Sequence, residues 1–245
     1  MVAVILAGGR GTRLKPFTVT VPKPLLPLGD VPILEVVIRQ LAAAGCTRVV
    51  LTVGHMASIF AASIGDGSRW GVRIDYCFEE EPLGTAAPLL RIPDLPEHFL
   101  VMNGDLLTTL DYRMLIDLHV AREAWATIAT TTRKVEIEYG VIERNADDTL
   151  RQYVEKPTIV YSVGMGINVV SRRCLELIPR EGKYDMPQLM TDLHAAGKRV
   201  LCHATDCYWQ DIGLFDDYER ASADFVADPA RFLPPVAAVT GSLQR

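Results

Sequence analysis

Apolar and polar positions follow two alternating rhythms along the first half of this chain. Val2–Leu6 is a short continuous apolar run that ends at Ala7-Gly-Gly, which predicts a buried parallel strand. After Pro32, the apolar residues Ile33, Leu34, Val37, Ile38 and Leu41 fall at helical spacing, with the proline suited to a first turn and Gly45 to a stop. Arg48–Val53 predicts the next strand, residues 56–64 a helix, and the alternating stretch Val72–Phe78 another strand. Phe99–Met102 predicts a fourth strand, ending at Asn103-Gly104-Asp105, and a helix over 111–122 and a strand over 125–132 follow. Strands and helices taking turns at short intervals predict an α/β fold, with a mostly parallel sheet covered by helices on both faces.

The rhythm changes in the second half. Residues 138–143, 150–154 and 163–170 predict strands with turns between them, and helices are expected at 171–178, 185–196 and 214–227. Asp185 is placed to cap the second of these helices. The region holding Cys202, His203 and Cys207 reads as two short strands around a turn, and its spacing matches no common zinc pattern. Residues 229–245, with Pro229, Pro234 and Pro235, read as a tail. The expected organisation is one domain over 1–228, carrying an inserted β-rich part, and a C-terminal tail over 229–245. Repeats and low-complexity tracts are absent from the sequence.

Composition narrows the class. With 245 residues, 49% hydrophobic and 22% charged, the chain is long and apolar enough to build a substantial core. No apolar run approaches the roughly 20 residues of a membrane span, and the start lacks the basic region and longer apolar stretch of a secretory signal. A cytoplasmic protein that does not act at a membrane is therefore expected. The five scattered cysteines fit reduced thiols. The net charge of −5 argues against a general nucleic-acid binder. Its distribution is more telling: residues 1–29 hold Arg10, Arg13, Lys15 and Lys23 and no acid, a local +4 that leaves −9 for the rest. An acidic chain with one cationic segment suits a small polyanion.

That segment also carries the strongest candidate chemistry, Leu6-Ala-Gly-Gly-Arg-Gly-Thr-Arg-Leu14. A glycine-rich turn directly after a strand exposes backbone N–H groups to phosphate, and Arg13 adds a forked donor. It is not a P-loop, which would end in Gly-Lys-Ser/Thr. Nor is it a full dinucleotide fingerprint, because Leu14 stands where the third glycine belongs. In Val21-Pro-Lys-Pro-Leu-Leu-Pro27 the prolines stiffen the chain and hold Lys23 at a set place.

Together these segments resemble the opening signature of the sugar-1-phosphate nucleotidyltransferases, L-A-G-G-x-G-T-R-L at 6–14 followed by P-K-P-L at 22–25. The resemblance continues through most of the chain. Glu81-Pro-Leu-Gly-Thr-Ala86 looks like the family's base-binding turn, and Asn103-Gly-Asp105 like its first metal site. Tyr139-Gly140, Glu155-Lys-Pro157 and Trp209-Gln-Asp-Ile-Gly213 look like its sugar loop, its sugar-phosphate lysine and its second metal site. The resemblance implies a Rossmann-like three-layer α/β/α fold whose inserted β-rich part binds sugar. It implies nucleotide contacts from Leu6, Ala7, Gly8, Gly9, Gly11, Thr12, Arg13, Lys23, Glu81, Gly84, Thr85, Asn103 and Gly104. It further implies sugar-phosphate contacts from Tyr139, Gly140, Glu155, Lys156 and Gly164, and Mg²⁺ on Asp105 and Asp211. Dimers or larger homo-oligomers are compatible with it.

The implied reaction is attack of a sugar 1-phosphate on the α-phosphate of a nucleoside triphosphate, releasing pyrophosphate. A phosphate monoester is mostly dianionic at pH 7, so no general base is needed and the barrier is mainly anion against anion. Arg13 and Lys23 are the expected catalytic residues, neutralising charge on the phosphates, with Lys156 holding the sugar phosphate in line. Singly, each residue has an ordinary structural reading: Asp105 as a turn cap, Lys156 as surface charge, Asp211 as a strand end.

The acidic run Glu79-Glu80-Glu81 beside the base turn favours GTP, because a carboxylate can accept from the guanine amino group. UTP, CTP and dTTP remain alternatives. The sugar is more open. Where relatives commonly show Asn-Ala-Gly-Ile-Tyr, this chain has Gly164-Met-Gly-Ile-Asn168, which removes a hydrogen-bonding side chain and opens space for a bulkier sugar. Two rival readings are a non-catalytic nucleotide-binding subunit that regulates a partner enzyme, and a nicotinamide-dependent dehydrogenase. Retention of Arg13, Lys23, Asp105, Lys156 and Asp211 disfavours the first, and the incomplete glycine pattern disfavours the second.

Overall fold

The computed structural model describes residues 1–9, 11–54 and 56–234. Arg10, His55 and the last part of the expected tail, 235–245, lie outside the described residues. In chain order the strands are β1 (Val2–Leu6), β2 (Pro27–Leu28), β3 (Val31–Pro32), β4 (Arg48–Val53), β5 (Arg73–Phe78), β6 (His98–Asn103), β7 (Leu106–Thr108), β8 (Ala126–Glu136), β9 (Val141–Arg144), β10 (Leu150–Val154), β11 (Thr158–Ser171), β12 (Val200–Ala204) and β13 (Trp209–Asp211). The helices are α1 (Ile33–Ala43), α2 (Ala57–Ile64), α3 (Tyr112–Ala121), α4 (Met186–Ala195), α5 (Phe215–Ala227) and α6 (Pro229–Phe232).

Seven strands form the central sheet in the order β12-β8-β11-β6-β1-β4-β5. Neighbours run parallel except β11, which is antiparallel to both β6 and β8. Side-chain alternation sends the two faces into different cores. Ala3, Ile5, Val49, Leu51, Leu100 and Met102 pack against α1, α2 and α3. Val4, Val50, Phe99, Val101 and Val170 pack against a 3₁₀ run at Ala87–Arg91, the Cys174 region and α4. This is the expected three-layer α/β/α arrangement. A third apolar cluster joins Leu14, Leu26 and Leu28 to Ile33, Val36, Ala221, Phe225 and Phe232.

Four details differ from the sequence reading. The strands expected at 125–132 and 163–170 are longer, because β8 and β11 continue pairing to Glu136↔Thr158, where mostly exposed residues leave no burial pattern to read. The β9–β10 hairpin caps this extension and forms the inserted β-rich arm. The segment at 171–178 is 3₁₀, Arg172–Leu177, rather than α-helix. The two strands near Cys202 and Cys207 do not pair around a turn: β12 joins the edge of the main sheet while β13 pairs with β7. Finally, the expected tail begins with α6, whose Phe232 is buried against Tyr208 and Phe225.

His119 is fully buried on α3. Its Nδ1 lies 2.9 Å from Thr127 Oγ1 and its Nε2 lies 3.0 Å from Ser171 Oγ. Ser171 Oγ in turn donates to the Ala124 carbonyl. That leaves Ser171 to accept from Nε2–H and Thr127 to donate to Nδ1, a set satisfied by a neutral imidazole. Burial first, then His98 and Arg173, lowers the His119 pKa to about 4.

Candidate active site

The glycine loop leaves β1 at the carboxyl ends of the parallel strands, the edge where open α/β sheets bind ligands. Two backbone bonds set its exit: Ala7 N–H donates to Thr52 and Gly104 N–H donates to Leu6. Gly11 has φ +58°, and a Cβ there would lie 2.9 Å from Thr18 Cγ2, so the turn requires glycine. Thr18 Oγ1 pins it by donating to the Gly11 carbonyl at 2.7 Å. A cavity of about 430 Å³ opens above this loop. Leu6, Ala7, Gly8, Gly9, Gly11, Thr12, Arg13, Lys23, Gly84, Thr85 and Asn103, all read from the sequence as nucleotide contacts, line it together with Asp105, read as a metal ligand.

Lys23 sits in a 3₁₀ turn, Lys23–Leu25, directly after Pro22. It is buried and ion-paired with Asp105. Asp105 follows β6 and precedes β7, and β13 pairs antiparallel with β7 in a register that sets Asp211 opposite Leu106. Ile212 N–H donates to the Asp105 carbonyl at 3.1 Å. Residues far apart in sequence thus deliver two carboxylates to one place. Burial, then the Asp105 charge, pushes the Asp211 carboxyl above its usual range, against the pull of Lys23 and Arg13. A Cβ on Gly213 would lie 3.5 Å from Asp211 Oδ2 and 3.6 Å from Arg13 Nη1, so Arg13 converges on the same point.

A second cavity, of about 610 Å³, shares Leu6, Thr85 and Asn103 with the first. Asp105 lines the first cavity and Asp211 the second, so the carboxylate pair lies where the two meet. The wall of the second cavity comes from a bulge in β11 between Gly164 and Asn168, from Ile128 and Thr130 on β8, and from Met186 and Met190 on α4. A Cβ on Gly164 would meet only Ile128 Cγ2, at 3.7 Å, so the space expected there exists. Gly166 (φ +72°) packs on Asn103, and Trp209 Nε1 donates to the Met165 carbonyl at 2.9 Å.

The donor set fits a small hard cation. A divalent ion would offset the cost of burying Asp211 beside Asp105, and Mg²⁺ takes one or two carboxylates and completes its shell with phosphate oxygens and water. Among the described residues no group of three or more His, Cys, Asp or Glu side chains is gathered for a metal.

Other expected residues are placed elsewhere. Glu81 is exposed and lines neither cavity; Glu79 takes the position beside the loop, accepting from Leu83 N–H at 3.2 Å. The sequence offered three adjacent acids, and only the backbone turn at 82–84 decides between them. Gly104 is buried and lines neither cavity; its missing side chain lets Ile5 approach, since a Cβ would lie 2.9 Å from Ile5 Cγ2. Tyr139, Gly140, Glu155 and Lys156 are brought near one another at the arm, where Tyr153 Oη donates to Glu155 and Ile137 N–H to Pro157. They also line neither cavity, and Tyr139 is 78% exposed. Asp185 does not cap its own helix: its Oδ1 accepts from Thr85 N–H at 3.0 Å. Lys183 and Asp185 also line the first cavity and Thr130 the second, although sequence reasoning gave none of the three a site role; Gly213 lines the first and Asn168 and Trp209 the second, residues that fell within the motifs but were not singled out as contacts.

Comparison with known proteins agrees with this arrangement. A family model described as nucleotidyl transferase matches residues 2–227. A mannose-1-phosphate guanylyltransferase of Mycobacterium tuberculosis is 32% identical over 91% of this chain and 64% of its own length. A UTP–glucose-1-phosphate uridylyltransferase of Synechocystis is 32% identical over 90% of this chain and 62% of its own. This chain therefore spans less than two thirds of either relative. HddC from Yersinia pseudotuberculosis superposes with a TM-score of 0.71 at 26% identity, covering 91% of this chain and 99% of that one. A structure of HddC complexed with GMP-PN gives a TM-score of 0.69. With the fold, the glycine loop and a family match over nearly the whole described length, the chain belongs to the nucleotidyl transferase family.

Proposed function

We propose that this chain transfers a nucleotidyl group from a nucleoside triphosphate, GTP first, to a sugar 1-phosphate, releasing pyrophosphate. The observation that carries the reading is the position of Asp105 and Asp211 at the junction of two cavities, with Lys23 and Arg13 beside them. The first cavity takes the triphosphate, with the glycine loop's N–H groups and Arg13 on its phosphates. The second takes the sugar, whose 1-phosphate then meets the α-phosphate at the junction. Asp105 and Asp211 would hold Mg²⁺, which when bound supplies charge neutralisation on the transferring phosphate. Lys23, held by its prolines, contributes a fixed positive charge without needing to reorganise. No residue is required to remove a proton, so rate depends on alignment and charge.

Guanine is supported by the guanylyltransferase relatives, by the GMP-PN complex of HddC and by Glu79, a carboxylate at the base end of the first cavity. Uridylyl transfer is the second reading and rests on the Synechocystis relative. Residues 1–228 form the catalytic domain in this reading, and a cytoplasmic site for the reaction is proposed with it.

The test is pyrophosphate release by the purified chain. It crosses GTP, UTP, CTP, dTTP and ATP with mannose, glucose, glucosamine and heptose 1-phosphates, with and without Mg²⁺. One strongly preferred Mg²⁺-dependent pair is expected. Tight triphosphate binding with no turnover of any pair would move the reading to a regulatory subunit.

A further inference from the structure

The base loop and the start of α4 are knotted together across roughly a hundred residues of sequence. Tyr184 N–H donates to Leu83, and Ala86 and Ala87 N–H both donate to the Tyr184 carbonyl. Gly84, at φ +90°, allows the approach: a Cβ there would lie 2.6 Å from the Tyr184 carbonyl oxygen and 2.7 Å from Asp185 Oδ1. Thr85 is the centre of the knot. Its N–H and its hydroxyl both donate to Asp185 Oδ1, at 3.0 and 3.3 Å. Its hydroxyl oxygen accepts the Met186 N–H at 2.7 Å.

This exchange is unusual for a helix start. An aspartate at the residue before a helix normally accepts N–H groups of its own first turn. Here Asp185 gives that role away, and the cap comes from Thr85 on the base loop. The Met186 N–H at the start of α4 is therefore paired by the base loop rather than by its own helix. The same turn carries Met186 and Pro187 into the wall of the second cavity, with Met190 one turn later, while Asp185 and Gly84 line the first. Thr85 lines both.

We propose that Asp185 is a positioning residue that locks the base loop to α4, so that seating a nucleotide and shaping the sugar wall become one equilibrium. The inference rests on the nucleotide reading of the first cavity. By linkage, a nucleotide that steadies residues 82–85 steadies 184–190 as well, and a sugar 1-phosphate seated against Met186 and Met190 favours nucleotide binding in return.

Hydrogen exchange on the whole chain, with GTP and Mg²⁺ and with the other triphosphates in parallel, tests it. In the unaltered chain, GTP is expected to slow exchange both at 6–14 and at 184–190. Asp185→Ala is expected to bind GTP roughly tenfold more weakly. At saturating GTP it should still protect 6–14 but no longer 184–190. Asp185→Asn keeps an acceptor oxygen for Thr85 and should restore both. If Asp185→Ala does not fold, Thr85→Val against Thr85→Ser carries the same comparison, because only serine retains the hydroxyl. Protection at 6–14 without any at 184–190 in the unaltered chain would overturn the coupling while leaving the nucleotide site standing. Transmission through Asp185→Ala as in the unaltered chain would overturn it too. No protection at 6–14 with any triphosphate would overturn the nucleotide reading and the coupling with it.

Discussion

Lys23 and Asp105 form an ion pair whose side chains are only 9% and 23% exposed. The lysine thus balances a carboxylate in addition to the phosphate role proposed for it. Removing it leaves Asp105 facing Asp211 with Arg13 as the nearby counter-charge. We expect Lys23→Met to lose at least a hundredfold in kcat and to lower Tm by about 2–4 °C. Thermal unfolding and pyrophosphate release on the same preparation check both halves; full activity would remove Lys23 from the phosphates.

Asp211 is costly to the fold at neutral pH, because its carboxyl is buried beside Asp105 and holds its proton more readily than in an unfolded chain. Asp211→Asn should therefore raise Tm in metal-free buffer while cutting Mg²⁺-supported turnover at least a hundredfold. A lower Tm together with an unchanged Mg²⁺ titration would take Asp211 out of the metal site.

Glu79, rather than Glu81, lines the first cavity, on the side assigned to the base in the proposed reading. Glu79→Ala is expected to reduce the preference for GTP over UTP by roughly 10- to 100-fold, while Glu81→Ala leaves it within about twofold. Competition assays between the two triphosphates separate the residues, and the reverse pattern would restore Glu81.

Gly164 leaves space against Ile128. Putting a side chain there should shift the sugar preference toward smaller acceptors. For Gly164→Asn we expect the ratio of kcat/KM for a hexose 1-phosphate to that for a heptose 1-phosphate to rise about tenfold. No change in this ratio would mean that the space does not face the sugar.

His119 makes stability depend on pH. Its pKa of about 4 lies below the ordinary value of 6.5, so an unfolded chain takes up a proton that the native one refuses. Stability is full above pH 6.5, declines as the pH falls toward 4, and is not further lost to this group below that. His119→Gln should lower Tm at pH 7, by disturbing the contacts to Thr127 and Ser171, yet narrow the Tm difference between pH 7 and pH 5. An unchanged difference would show that the imidazole does not set it.

The sequence was most legible where burial imposed a rhythm. β1, β4 and α1 announce themselves because one-sided or two-sided burial selects their residues, and the glycine loop because Gly11 meets a steric demand only glycine satisfies. The outer halves of β8 and β11 were illegible for the opposite reason, since their mostly exposed side chains record no inside. Glu79 and Asp185 were visible as residues but not as partners. Which of three acids turns inward, and which N–H a carboxylate accepts, depend on contacts between segments far apart in the chain. The pairing of Asp105 with Asp211 was suggested by resemblance alone; only the β7–β13 register supplies its physical cause.

That register also has a consequence for biosynthesis. Asp105 emerges from the ribosome roughly a hundred residues before the segment that completes its site, and folding proceeds as segments become available. A nascent chain stopping short of Trp209 could already build β1, the glycine loop and their neighbours β4 and β6, but would own a single carboxylate at the junction. On the proposed reading, such a chain would hold the residues assigned to phosphate but only one of the two carboxylates assigned to the metal, so it would lack the transfer activity until the segment at Trp209–Asp211 is made.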